Sequence, residues 1–145
     1  MNKKQYKLGY TQGTFDMFHI GHLNLLRNAK FLCDRLIVGV NSDDLVQQYK
    51  KKVPIINENE RAEIVKALRC VDEVFICDTL DKTVAWENIH FNAIFIGDDW
   101  KGNPRWIQTE QNLAKYGADV IYLRHTEGIS STLLRVVEAK KISED

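Results

Sequence analysis

Short apolar segments rich in β-branched residues alternate with helix-like segments along the chain, and this alternation constrains the fold most strongly. The strand candidates are Lys7–Thr11, Arg35–Asn41, Glu73–Cys77, Ala93–Gly97 and Asp119–Leu123. Alternation of strands and helices predicts βαβ units and a parallel sheet. The near-continuous apolarity of the strands is typical of a sheet covered on both faces. We therefore expect an α/β fold with three layers, α/β/α, around a five-stranded parallel sheet.

Helix candidates lie between the predicted strands. Apolar residues recur at three- and four-residue spacing from Leu23 to Cys33, which predicts a helix after the first strand. Asn57 and Glu60 form a capping-box-like pattern, and we expect a helix over Arg61–Cys70. Both prolines are expected in loops, where they interrupt no backbone ladder.

Size and charge narrow the class of protein. The 145 residues fit a single domain over 1–145 with one core. The 20 basic and 20 acidic side chains give a net charge of zero, which argues against a nucleic-acid partner. Apolar runs are strand-sized and the N-terminus is polar, so we expect a cytoplasmic protein that binds no membrane. The three cysteines are expected to be reduced thiols.

A histidine pair follows the first predicted strand. His19 and His22 are three residues apart with Gly21 between them, at the expected start of a helix. The backbone amides of a helix N-terminus favour an anion, and both imidazoles can donate to phosphate oxygens. A His-x-x-His pair can also be half of a metal site, but no nearby cluster completes one, so we predict no metal ligand. The pattern favours a phosphate site.

The segment Gly13–His22 reads Gly-Thr-Phe-Asp-x-x-His-x-Gly-His and resembles the signature of the cytidylyltransferase branch of the nucleotidyltransferase superfamily. The resemblance implies a Rossmann-like fold. It also implies that His19 and His22 contact the nucleotide phosphates and stabilise the transition state. Asp16 is assigned to the acceptor substrate. The residues expected to line the nucleotide pocket are Gly13, Thr14 and Phe15.

Two further segments strengthen the resemblance. Gly97–Gly102 reads Gly-Asp-Asp-Trp-Lys-Gly and resembles a segment of glycerol-3-phosphate cytidylyltransferases, which assigns Asp99 to the nucleotide site. Thr126–Thr132 can form an anion cradle at the start of a final helix, predicted over Thr132–Lys140. This stretch resembles a family motif that closes on the nucleotide. The residues assigned to the nucleotide from it are Arg124, His125, Thr126, Ile129, Ser130 and Ser131. The family arginine of this motif is replaced by His125, so either Arg124 supplies the guanidinium or His125 makes a pH-dependent contact.

Basic residues in the middle of the chain have two interpretations. A charge run such as 50–52 is usually a solvated surface. The resemblance instead assigns Lys50 and Lys52 to the phosphates of both substrates, and Arg69 to the active site through an Arg-x-Val-Asp-Glu-Val match. It also assigns Lys82 to the acceptor phosphate, with an exposed surface lysine as the alternative.

The reaction implied by the resemblance is CTP plus a phosphorylated alcohol, giving a CDP-alcohol and pyrophosphate. We expect glycerol 3-phosphate as acceptor, Mg²⁺ with the CTP, and a homodimer. Choline phosphate, ethanolamine phosphate, a phosphonate and a sugar phosphate remain alternative acceptors. An adenylyltransferase and a non-catalytic nucleotide-binding domain are the alternative functions.

Overall fold

Five parallel strands form one sheet in the computed structural model, which describes residues 4–124. They are β1 Tyr6–Gly13, β2 Cys33–Asn41, β3 Glu73–Cys77, β4 Ala93–Gly97 and β5 Asp119–Leu123. The order across the sheet is β3-β2-β1-β4-β5, and every neighbouring pair is parallel. The predicted sheet is confirmed. Since all strands are parallel, their carboxyl ends lie along one edge of the sheet.

Helices cover both faces of this sheet. They are α1 Ile20–Leu32, α2 Asp43–Lys50, α3 Glu58–Lys66, α4 Lys82–Ile89 and α5 Pro104–Ala114. Leu26 of α1 and Val65 of α3 belong to the hydrophobic core on one face. Ala85 of α4 and Trp106 of α5 belong to the core on the other. The predicted three-layer arrangement is therefore confirmed. No helix within residues 4–124 is both long enough and apolar enough to span a bilayer.

The helix predicted over Arg61–Cys70 differs from α3 at both ends. Asn57 is the N-cap, and its side chain accepts from the Glu60 amide at 2.9 Å, so the capping signal is confirmed. The helix begins directly after this cap, at Glu58, and not at Arg61. The C-terminal boundary is wrong. The Ala67 amide is shared between carbonyls of the last turn, including those of Glu63 and Ile64, and tight turns follow before the chain joins β3. The final helix predicted over Thr132–Lys140 lies outside the described residues.

Pro104 is not in a loop, as expected from the sequence, but is the first residue of α5. The first helical position needs no amide donor, and the fixed φ of proline suits it. Asn103 caps this helix by accepting from the Arg105 amide at 2.9 Å. The other proline precedes α3, in the segment between α2 and α3 that lies beside the carboxyl edge of the sheet.

Candidate active site

The turn after β1 places the Gly-Thr-Phe-Asp segment at the carboxyl edge. Phe15 and Met17 adopt left-handed backbone conformations with φ of 55° and 48°, which reverse the chain before α1. The Phe15 ring is only 3% exposed and packs against the His22 ring. A Cβ at Gly13 would lie 3.1 Å from this ring, so glycine makes room for it. The Phe15 side chain therefore supports the turn from inside the core, and the role assigned to Phe15 in the nucleotide pocket stays a prediction.

His19 and His22 lie together at the positive end of α1. His19 is the N-cap, and its Nδ1 accepts from the Gly21 amide at 3.0 Å. His22 Nδ1 accepts from the His19 amide at 3.1 Å, and the ring centroids are 4.0 Å apart. A neutral imidazole that accepts at Nδ1 carries its proton on Nε2. Both histidines therefore have Nε2–H as their donor, which suits phosphate oxygens beside a helix N-terminus.

Gly21 lets the His19 ring fold over the start of α1. A Cβ at position 21 would lie 2.9 Å from His19 Cε1 and 3.1 Å from Nδ1. Any larger residue would push the ring away from the Gly21 amide that it caps. The requirement for glycine in the His-x-Gly-His pattern is therefore steric in this chain.

Asp16 binds the segment that carries two of the predicted lysines, Lys50 and Lys52. We call this segment, from Lys50 to Ile56, the lysine loop. The Asp16 carboxylate accepts from the Ile55 amide at 2.8 Å and from the Ile56 amide at 2.9 Å. Both carboxylate oxygens are thus engaged in holding the lysine loop against the turn after β1. The acceptor role assigned to Asp16 stays a prediction.

A buried arginine that sequence reasoning missed connects the elements around the site. Arg61 of α3 is 1% exposed. Its guanidinium donates to the carbonyls of Ile56, Thr14 and Asn41 at 2.7, 2.8 and 2.8 Å, and to the Asp43 carboxylate at 2.6 Å. It therefore joins the ends of β1 and β2 to α2 and the lysine loop. Arginine is rarely fully buried, so no local sequence signal indicated this role.

The predicted lysines lie at loops along the carboxyl edge. Lys50 is the last residue of α2, and Lys52 is exposed in the bend that follows. Lys82 is the first residue of α4, and its Nζ donates to the Leu80 carbonyl at 2.6 Å. Burial, together with the nearby charge of Arg105, lowers the pKa of Lys82 to about 8. A lysine with this pKa loses its charge just above neutral pH.

Asp99 and Arg124 follow the two strands on the other side of β1. Asp99 lies in a single 3₁₀ turn, Asp98–Trp100, directly after β4. Its carboxylate lies over Gly97, where a Cβ would be 2.8 Å from Oδ1. Arg124 is exposed directly after β5. The fold thus brings both to the edge that holds the histidines. The residues assigned to the nucleotide that lie outside the described chain are His125, Thr126, Ile129, Ser130 and Ser131.

Arg69 lies away from the other predicted residues. It is exposed in the turn between α3 and β3, at the amino end of that strand. The five residues of β3 span about 16 Å, and the histidines lie at the opposite edge. The described chain therefore does not bring Arg69 to the histidines, and its catalytic role stays a prediction.

The chain matches a family model described as cytidylyltransferase-like over residues 10–137. It is 37% identical over 126 residues to glycerol-3-phosphate cytidylyltransferase of Bacillus spizizenii, covering 86% of this chain and 92% of that protein. It is 35% identical over 137 residues to ethanolamine-phosphate cytidylyltransferase of Dictyostelium discoideum, covering 90% and 37%.

The chain is also similar to part of longer, bifunctional proteins and to proteins of solved structure. The bifunctional protein HldE of Hyphomonas neptunium is 36% identical over 122 residues, which is 83% of this chain and 23% of that protein. The chain thus spans about a quarter of the length of its bifunctional relatives. Among solved structures, the lipopolysaccharide core biosynthesis protein of Thermoplasma volcanium superposes with a TM-score of 0.70 at 26% identity, covering 84% and 98%.

Proposed function

Because this chain belongs to the cytidylyltransferase-like family, we propose that it transfers CMP from CTP to glycerol 3-phosphate, giving CDP-glycerol and pyrophosphate. The observation that carries the choice of acceptor is the similarity to the Bacillus spizizenii enzyme, which extends over nearly the whole of both chains. The Gly97–Gly102 segment supports the same choice. The paired histidines at the start of α1 support nucleotidyl transfer itself.

In the proposed reaction an oxygen of the acceptor phosphate attacks the α-phosphorus of CTP. The new oxygen–phosphorus bond forms as the bond to pyrophosphate breaks, and no covalent enzyme intermediate is needed. The Nε2–H groups of His19 and His22, aided by the N-terminus of α1, would stabilise the charge on the α-phosphate and the leaving group. Lys50, Lys52 and Lys82 would hold two anionic substrates close together despite their repulsion.

Mg²⁺ enters this proposal as a complex with CTP. Within residues 4–124 no group of three or more His, Cys, Asp or Glu side chains is arranged to hold a metal ion. In the proposal the ion is bound by triphosphate oxygens and water, with few protein ligands. The described residues would bind the phosphates around it.

Ethanolamine phosphate is the second candidate acceptor. The identity to the Dictyostelium discoideum enzyme, 35%, is close to that of the glycerol-3-phosphate enzyme. This chain covers only 37% of that longer protein, so the similarity concerns one part of it. Both acceptors carry a phosphate monoester, and Lys82 at the start of α4 suits either.

A pyrophosphate-release assay tests the proposal. Purified protein is mixed with CTP or ATP and with glycerol 3-phosphate, ethanolamine phosphate, choline phosphate or a sugar phosphate. We expect release with CTP and glycerol 3-phosphate. Release with another acceptor alone would overturn the choice of acceptor, and release with ATP alone would favour an adenylyltransferase. Nucleotide binding without release would favour a non-catalytic domain.

The homodimer and the cytoplasmic location are also proposals. Light scattering of the purified protein tests the first, with a mass of about twice 16.8 kDa expected for a dimer. A monomeric mass at the concentrations used in the activity assay would overturn it. Fractionation of cells that express the chain tests the second.

A further inference from the structure

Tyr49 connects α2 to the turn after β1 and to the first lysine of the lysine loop. Its hydroxyl lies 3.0 Å from Thr14 Oγ1 and 3.1 Å from Asn41 Nδ2. Its ring faces Lys50, with the ammonium 5.9 Å from the ring centroid. One side chain therefore contacts both a residue of the predicted nucleotide pocket and a predicted phosphate-binding lysine.

A backbone carbonyl fixes the direction of the hydrogen bonds behind Tyr49. One amide atom of Gln12 lies 2.9 Å from the Thr79 carbonyl oxygen, which can only accept, so this atom is Nε2. The same Nε2 lies 2.9 Å from Asn41, which must therefore present Oδ1 to it. Asn41 consequently presents its Nδ2 to Tyr49. The Tyr49 oxygen is thus an acceptor from Asn41.

The buried end of the chain of hydrogen bonds agrees with this direction. The Tyr10 hydroxyl donates to Gln12 Oε1 at 2.6 Å. Tyr10 is fully buried, and burial raises its pKa far above the ordinary value, so it keeps its proton. Gly39 makes room for this hydroxyl, because a Cβ there would lie 2.5 Å from it. The sequence of donors therefore runs outward from Tyr10.

The last step of this sequence orients the Thr14 hydroxyl. Either hydroxyl of this 3.0 Å contact can donate, but Tyr49 already accepts from Asn41 and a phenol is a stronger acid than an alkyl alcohol, which favours donation from Tyr49 to Thr14 Oγ1. Asn41 Nδ2 also approaches Thr14 Oγ1, at 3.5 Å. With this direction Thr14 Oγ1 is an acceptor on this side, and its own proton is available to an acceptor elsewhere. Within residues 4–124 the other hydrogen bond of the Thr14 hydroxyl is also one that it accepts, from Asn41.

We propose that Tyr49 is a positioning residue that turns the Thr14 hydroxyl outward as a donor to a nucleotide phosphate oxygen and holds Lys50 beside it. This inference rests on the proposed function of the same site. Tyr49 acts through Thr14 and Lys50 and touches no reacting atom. The Tyr49 hydroxyl orients the Thr14 hydroxyl, whereas the Tyr49 ring contacts Lys50.

The test measures the dissociation constant of CTP by calorimetry for Tyr49→Phe, which keeps the ring and removes the hydroxyl. We expect CTP binding to weaken about fivefold, the size of one lost hydrogen bond. In a Thr14→Val background Tyr49→Phe should have no further effect, whereas in a Thr14→Ser background it should keep its full effect. Tyr6→Phe is the matched control, since it removes a hydroxyl bonded to Asp119 at the amino edge of the sheet.

Each outcome decides the proposal. Unchanged CTP affinity in Tyr49→Phe, or an equal loss in Tyr6→Phe, would overturn it. An undiminished effect of Tyr49→Phe in the Thr14→Val background would also overturn it, because the role would then be general stability. If the wild-type protein binds CTP but transfers CMP to no acceptor, the proposed function fails while these affinities still test Tyr49. Absence of any CTP or ATP binding would overturn both.

Discussion

Replacement of Arg61 by methionine tests whether this buried side chain organises the candidate site. Methionine keeps much of the volume and packing of the arginine stem but removes the guanidinium. The change leaves the carbonyls of Thr14, Asn41 and Ile56 without their donor, and Asp43 without its cation. The side chain of Arg61 is fully buried, whereas that of Asp43 is 30% exposed, so water can replace only part of what is lost.

The expected cost follows from these contacts. Removal of one partner from a buried ion pair costs about 3–5 kcal/mol. Each buried carbonyl left without its donor costs about 1–3 kcal/mol, although such costs do not add fully. We therefore expect Arg61→Met to lower the free energy of unfolding by about 4 kcal/mol. Arg61→Lys, which keeps the charge but loses the planar fork, should fall between the wild type and Arg61→Met.

Urea unfolding followed by circular dichroism measures this effect. With a slope of about 2 kcal/mol per molar, a loss of about 4 kcal/mol lowers the midpoint by about 2 M. Arg35→Met is the matched control, because Arg35 forms an ion pair with Glu73 in which both side chains are about half exposed. A surface pair of this kind contributes at most about 1 kcal/mol. A midpoint for Arg61→Met equal to that of Arg35→Met would refute the reasoning.

Three further changes probe the site. Gly21→Ala should displace the His19 ring and lower kcat at least tenfold, while Tm changes little. An unchanged kcat would contradict the capping geometry. Asp16→Asn should raise the dissociation constant of CTP, measured by calorimetry, because an amide oxygen can replace only one of two acceptors that hold the lysine loop. It should also lower the free energy of unfolding by about 1–3 kcal/mol, measured by urea titration. Lysine is charged below its pKa, so kcat/KM for the acceptor should fall as pH rises through about 8. Lys82→Arg should remove that fall. Identical pH profiles of the wild type and Lys82→Arg would exclude a role of Lys82 in binding the acceptor phosphate.

The sheet was predictable from the sequence because its signal is local. Glu73–Cys77, Ala93–Gly97 and Asp119–Leu123 are strands with the predicted bounds, since apolar runs of this length between polar segments suit buried parallel strands. The position of His19 and His22 at the start of α1 was also predictable, because a helix start depends on residues within one turn. Their role in catalysis stays a prediction. In these cases, residues close in sequence determine the structure.

Other features depend on contacts between distant residues. Arg61 is buried because Thr14 and Asn41, far from it in sequence, turn their carbonyls toward α3. Asp16 is engaged by amides 39 and 40 residues away. The Phe15 ring lies in the core because the left-handed turn directs it inward, whereas the role of Phe15 in the nucleotide pocket stays a prediction. No periodicity or local motif reports such pairings, so the sequence identified the edge of the sheet but not how its loops are held.

Transfer of label from α-³²P-CTP to glycerol 3-phosphate, compared between the wild type and His19→Asn, tests the central claim most directly. Asparagine is a favoured N-cap, so this variant keeps the start of α1 but loses the imidazole donor. We predict labelled CDP-glycerol from the wild type, and at least a hundredfold lower kcat from His19→Asn at an unchanged Tm. Labelled product at equal rates from both proteins, or no labelled product from the wild type, would contradict the account.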